Sequence, residues 1–190
     1  MHAQVPQILV VGLGNLPLPA TRHSLGHLVV DSLAARLGIR LTSERKGIAG
    51  SDFISIGETT VQLTLFKPKQ AMNISGPSVA EALRNTIRNR HPNTALIVLH
   101  DSLAHRPETL SARLGGSANG HNGVKSIISA LGGKQDFYRF RLGIGERGGT
   151  DASDYVLAKL SSHERQFWQD EGVDLVLEEI EKVVAKLVGG

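Results

Sequence analysis

The chain predicts a single-domain α/β three-layer sandwich, a twisted mixed β-sheet with helices on both faces. Three observations carry this. Two runs, Ile8-Leu9-Val10-Val11 and Ala95-Leu96-Ile97-Val98-Leu99, are continuously apolar, as strands covered on both faces are. Between and after them, apolar residues recur at helical spacing. At 190 residues, 41% of them hydrophobic, the chain can bury one sizeable core but not two. The domain expected is therefore 1–190, with no internal repeat, low-complexity block or linker.

Each element has its own signal. Residues 7–13 read as a strand ending in glycine. After a loop at 14–19, Ser24 stands before a helical face of Leu25, Leu28, Val29, Leu33 and Leu37, which Gly38 stops. Residues 53–56 and 61–66 alternate around Gly57-Glu58-Thr59, which predicts a hairpin. A second helix is expected from Ser75 or Ser78 to about Arg90, then the apolar strand 95–99 and strands at 109–114 and 137–144. Val173, Val176, Leu177, Ile180, Val183, Val184 and Leu187 make an amphipathic helix of the tail, about 161–188, with Phe167 and Trp168 near its start.

Composition narrows the function classes. Cysteine is absent, which excludes disulfides, thiol nucleophiles and cysteine-bound metals. No apolar run reaches membrane-spanning length, so no membrane partner is expected. Residues 1–6 have neither a basic n-region nor transit-peptide character. The net charge of +3 permits a nucleic-acid partner without demanding one.

The densest local signal is Gly115-Gly116-Ser117-Ala118-Asn119-Gly120-His121-Asn122-Gly123, followed at once by a helical pattern. Glycines let a backbone curl and come close to a ligand, and successive N–H groups before a helix suit an anion. In sheets of this class ligands sit outside the C-terminal strand ends. That rule places the loops 14–24, 67–76, 100–107 and 115–123 together.

Several chemistries fail on spacing. Gly12-Leu13-Gly14 lacks the third glycine of a dinucleotide fingerprint, because Pro17 stands there. Val124-Lys125-Ser126 after Gly123 is not a Walker loop, and no Gly-x-Ser-x-Gly elbow is present. His100, His105 and His121 lack the His-x-x-x-His spacing and acid cluster of a metal site. What remains is a His/Asp/Asn constellation: His23 before a helix, Asp101 ending a strand, and Asn15, Asn73 and Asn122 on neighbouring loops. A carboxylate bonded to one imidazole nitrogen fixes the tautomer and leaves the other nitrogen to take a proton from water. Asparagine amides can orient that water or an oxyanion without adding charge.

The segments Leu9-Val10-Val11-Gly12-Leu13-Gly14-Asn15, Thr21-Arg22-His23-Ser24-Leu25-Gly26, Lys67-Pro68 with Met72-Asn73-Ile74-Ser75-Gly76, His100-Asp101, residues 114–126 and Arg139-Phe140-Arg141-Leu142-Gly143-Ile144-Gly145 resemble the bacterial-type peptidyl-tRNA hydrolase family. Asp154-Tyr155-Val156-Leu157 before residues 161–164 is similar to its C-terminal signature. Six short motifs in the family's order and spacing are specific, and they span nearly the whole chain.

The resemblance implies hydrolysis of the ester between a peptide and the 3′ ribose of tRNA, with no metal or organic cofactor. It implies His23 as base, Asp101 as its partner, Asn15 and Asn73 positioning peptide and water, and Asn122 holding water and the peptide carbonyl. Met72, Gly120 and His121 line the substrate, and Arg113 and Arg141 clamp the tRNA 5′-phosphate, a task guanidinium suits by bidentate bonding. The protein is expected to be a monomer that meets peptidyl-tRNA at its acceptor end, in the cytoplasm or the mitochondrion.

Three departures stand out: a shortened loop before His23 without the usual tyrosine, Ser24 in place of asparagine, and Ser102-Leu103-Ala104 in place of a more acidic stretch. Thr-Arg-His-Ser and Gly-Gly-Ser-Ala-x-Gly-His-Asn-Gly resemble eukaryotic members. The other reading is a catalytically inactive RNA-binding scaffold of the same fold.

Overall fold

The computed structural model describes residues 5–87, 93–145 and 147–189. The sheet has seven strands: β1 (Gln7–Gly12), β2 (Thr42–Ser43), β3 (Gly47–Ile56), β4 (Thr59–Pro68), β5 (Thr94–Ser102), β6 (Leu110–Leu114) and β7 (Tyr138–Gly143). Their order is β2-β3-β4-β1-β5-β7-β6. β1 runs parallel to β4 and β5, and β5 parallel to β7. The two edges, β2-β3-β4 and β7-β6, are antiparallel, so the sheet is mixed as expected.

Alternation along the central strands feeds two cores. Ile8, Val10, Ile97, Leu99 and Phe140 face α1 (Leu25–Leu37), α5 (Ser162–Gln169) and α6 (Glu171–Gly189). Leu9, Val11, Leu96 and Val98 face α2 (Gly76–Thr86) and α3 (Asn122–Ala130). This is the period-two geometry of strands, and it makes the three-layer sandwich. Gly38 ends α1 at φ 69°, the left-handed conformation that glycine adopts without a Cβ penalty.

Two expectations change, and two others reach outside the described residues. The tail is two helices, α5 and α6, broken at Asp170, and a short α4 (Ala152–Leu157) precedes them. The break seats the buried Trp168 ring on Gly172, where an added Cβ would lie 2.4 Å from the indole. The first hairpin strand begins at Gly47 rather than residue 53, because Gly50 must lie under the Arg40 carbonyl and has no side chain to show alternation. α2 ends at Thr86, and the expected end near Arg90 lies outside the described residues. The targeting expectation also rests partly on residues 1–4, which lie outside them. Among the described residues no helix is long and apolar enough to cross a membrane.

Candidate active site

Close backbone contact brings His23 to Asp101. A Cβ on Gly12 would lie 2.2 Å from the Gly26 carbonyl oxygen, and one on Gly26 would lie 2.5 Å from Leu13 N and Leu99 O. Only glycine lets the first turn of α1 sit on the ends of β1 and β5. The 3₁₀ turn Arg22–Ser24 therefore lies over the end of β5. Ser24 occupies the N-cap position but does not cap α1; its hydroxyl accepts from Asn15 N (2.9 Å) and donates to the Leu18 carbonyl (2.9 Å), tying the shortened loop shut. On the other side Arg22 N donates to Ala158 O and Leu160 N to Ala20 O, so the segment after α4 braces the same loop.

Asp101 sits at the centre of the site and is 4% exposed. His23 Nδ1 lies 2.9 and 3.1 Å from its two oxygens, and His121 Nε2 lies 2.9 Å from Oδ1. Burial alone would raise the Asp101 carboxyl. The charge and hydrogen bond of His121, and then those of His23, outweigh it and hold the group well below the usual carboxylate range. An ionised Asp101 can only accept, so both imidazoles donate to it. Val124 N–H donates to His121 Nδ1 (3.3 Å), which leaves the His121 proton on Nε2. For His23 the proton is on Nδ1, and Nε2 keeps its lone pair with no partner among the described residues.

His100 completes the cluster and did not stand out in sequence as more than a possible ligand. It is buried, donates from Nδ1 to the Asp101 carbonyl (2.8 Å) and packs edge-on to His121 with ring centroids 4.7 Å apart. Burial, then the charge of His121, pushes it down to about 3, so the ring is neutral. The donor atoms of His23, Asp101 and His121 lie within 4.8 Å of one another, a spacing a metal ion could bridge. Here the imidazole nitrogens direct protons, not lone pairs, at the carboxylate, so binding a cation there requires displacing both.

The three asparagines divide into two kinds. Asn15 is half-buried, and its Oδ1 accepts from Met72 N (3.0 Å). It thus fixes the 3₁₀ turn Met72–Ile74 that carries Asn73. Asn73 and Asn122 are exposed and line one groove of about 430 Å³ with Ile74, Pro77, Lys125 and Ser126. Met72 presents backbone rather than side chain; its thioether is buried against Gly123, where a Cβ would lie 2.5 Å from its Sδ. Gly120 is exposed at φ 84°, with open space where a side chain would be.

The glycine loop reaches the site by an unexpected route. Because β6 is antiparallel to β7, Leu114 lies opposite Tyr138 and level with Ile97, away from the C-terminal strand ends. Gly115 therefore starts at the far side, and the loop reaches Asp101 only at His121. The strand-end rule misplaces its first half because it assumes a parallel strand. Arg113 and Arg141 stand at that edge, on cross-strand neighbours of β6 and β7. Arg141 is fixed by bonds from Nη2 to Ser111 Oγ (2.7 Å) and from Nε to Ser111 O (3.3 Å), and Arg113 is exposed. Arg139 joins them without having been singled out, because a buried arginine carries no periodic sequence signal.

The family model described as peptidyl-tRNA hydrolase matches residues 9–189. Proteins named peptidyl-tRNA hydrolase from Agathobacter rectalis and Alcanivorax borkumensis are similar to this chain. The first is 39% identical over 161 residues (83% of each chain), and the second 40% identical over 163 (84% of this chain, 81% of that one). The crystal structure of peptidyl-tRNA hydrolase from Acinetobacter baumannii superposes with a TM-score of 0.78 at 32% identity, covering 98% of this chain and 93% of that one. Family model, relatives and fold agree with one another, and the chain belongs to the peptidyl-tRNA hydrolase family.

Proposed function

We propose that this protein hydrolyses the ester between the C-terminus of a peptide and the 3′ ribose of tRNA, with His23 as general base. The single observation that carries the mechanism is the His23–Asp101 pair. A buried, ionised carboxylate holds Nδ1–H and leaves Nε2 as the basic atom.

In this mechanism Nε2 takes one proton from water as the oxygen attacks the ester carbonyl. Asp101 stays ionised and stabilises the imidazolium that forms. The carbonyl oxygen becomes an oxyanion, and the exposed amides of Asn73 and Asn122 are suited to donate to it or to the water. Collapse expels the ribose 3′ oxygen, which takes the proton back from Nε2. One water is consumed, and free peptide and tRNA are released. Asn15 acts from behind by holding Met72 N, and His121 keeps Asp101 in place.

Arg113 and Arg141 support contact with the phosphate backbone at the acceptor end. All of these groups come from one chain, so a monomer suffices. Action in the cytoplasm or the mitochondrion belongs to the same reading.

The assay is release of tRNA from an N-blocked peptidyl-tRNA compared with an aminoacyl-tRNA bearing a free amine. Cleavage of the first alone is expected. Cleavage of neither by the folded protein overturns the reading in favour of an RNA-binding scaffold.

A further inference from the structure

Tyr155 of α4 is connected to both members of the His23–Asp101 pair. Its hydroxyl donates to the Ile144 carbonyl (2.6 Å), and Ile144 N donates to the carbonyl of Ser102 (3.1 Å), the residue after Asp101 on β5. Over its ring lies the guanidinium of Arg22, 4.4 Å from the centroid, and Arg22 is the residue before His23. A cation over an aromatic face is attracted by the ring's quadrupole. Arg22 is held a second time: its Nη2 meets Glu164 Oε2 (3.4 Å). That carboxylate is itself fixed, because it accepts from Ser161 N (2.6 Å) in the capping box that opens α5. Arg22 Nε is buried with no hydrogen-bond partner among the described residues. A buried unsatisfied donor is costly, so the ring and the carboxylate hold the guanidinium in a place it would not take for its own solvation. The contacts close a ring that runs from His23 through Arg22, Tyr155, Ile144 and Ser102 to Asp101, and back to His23 at 2.9 Å.

We propose that Tyr155 and Arg22 form a strut that sets the approach of His23 to Asp101, which makes both of them positioning residues for the reaction. His23 stands on a 3₁₀ turn of three residues, too short to fix its own place by internal hydrogen bonds. The bond from Arg22 N to Ala158 O ties that turn to the segment after α4. The Tyr155 link ties it to β5, the strand that carries Asp101, and so governs the one distance on which the imidazole's orientation depends. A shift of about 1 Å in a reacting group costs about a hundredfold in rate. The strut therefore acts on kcat through His23. The proposal rests on the reading of His23 as the general base.

The test measures kcat and KM for peptidyl-tRNA in wild type, Tyr155→Leu, Tyr155→Phe, Arg22→Met, Arg22→Lys and the double variant Tyr155→Leu/Arg22→Met. Proton NMR follows the His23 Nδ1–H resonance of each, assigned by its loss in His23→Gln. Tyr155→Leu and Arg22→Met are each expected to lower kcat about ten- to a hundredfold with KM within about twofold of wild type. The double variant loses no more than the worse single one, because both substitutions break the same strut. Tyr155→Phe keeps the ring and loses only the bond to Ile144, so its kcat falls between, and Arg22→Lys keeps a cation over the ring and recovers part of the loss. The Nδ1–H resonance moves upfield or broadens in step with kcat. Unchanged kcat in folded Tyr155→Leu and Arg22→Met, additive losses in the double variant, a rise in KM alone, or a His23 resonance that stays in place while kcat falls overturns the proposal. Should Tyr155→Leu not fold, Tyr155→Phe and the two Arg22 variants decide by the same readouts. A wild type whose His23 resonance responds to these substitutions but which cleaves no peptidyl-tRNA overturns the proposed activity and leaves the strut standing.

Discussion

His23 and His121 donate to the same oxygen of Asp101, each at 2.9 Å, with their rings tilted 43° and centroids 5.0 Å apart. One buried carboxylate thus orients the group proposed to react and the residue that opens α3. Replacing either histidine leaves the other with a partner, whereas replacing Asp101 orphans both.

That asymmetry predicts different phenotypes. His23→Ala is expected to lower kcat by about 10²–10⁴-fold, the usual worth of a positioned base, with tRNA affinity and fold retained. Asp101→Asn is expected to lose as much activity and also stability, by about 1–3 kcal/mol, because the amide carries no charge to strengthen the two N–H bonds and sets an NH2 donor where Oδ2 lies 3.1 Å from His23 Nδ1. Single-turnover hydrolysis and urea unfolding of both variants check this; equal stability losses count against the shared-oxygen account.

Asn15 acts through one hydrogen bond to Met72 N, with its amide nitrogen not required for that bond. Asn15→Asp keeps the acceptor and should retain substantial activity. Asn15→Ala frees the Met72–Ile74 turn and should lose about ten- to a hundredfold in kcat/KM, an effect of misplacing groups near the reaction centre. Comparable loss in both variants would show that the amide protons are needed.

Gly26 lets α1 touch the ends of β1 and β5. Gly26→Ala places a Cβ 2.5 Å from two backbone atoms that cannot rotate away. It is expected to cost about 1–3 kcal/mol or more and to weaken catalysis by lifting His23 from Asp101. Thermal unfolding and a crystal structure of the variant test both parts.

Arg113→Ala and Arg141→Ala, each in a His23→Ala background so that substrate survives, are expected to weaken peptidyl-tRNA binding. Each should also reduce the slope of log K against log salt by about one phosphate contact, roughly 0.7–0.9. Binding isotherms at four salt concentrations decide it, and an unchanged slope removes that arginine from the phosphate contact.

Stability should fall in mild acid. His27 and His100 are both pushed down to about 3, His27 by burial and then Lys67, His100 by burial and then His121. Below about pH 6.5 the unfolded chain takes up protons at both positions and the folded chain does not, so stability declines as pH falls. Each group contributes about 1.4 kcal/mol per pH unit, for a combined loss of roughly 4 kcal/mol by pH 5. His27→Leu should halve that slope in urea unfolding measured from pH 8 to 5.

The sequence by itself determined the layers and the list of candidate site residues. The apolar runs of β1 and β5 could only be buried strands, and the amphipathic spacing of α1 and α6 required a sheet to cover. Residue types named His23, Asp101 and the three asparagines, because few side chains can activate water. Tertiary structure alone decided how they work together. The direction of β6 sends the glycine loop across the sheet face before His121 arrives at Asp101. The split of the tail at Asp170 depends on Trp168 resting on Gly172. The different tasks of Asn15 and Asn73, one turned inward to Met72 and the other lining the groove, also leave no mark in composition or period. Neither does the unpaired charge of Arg139 beneath Gly116. Periodicity records which face of an element is dry. It does not record which buried polar atom meets which, because that depends on contacts between segments far apart in the chain.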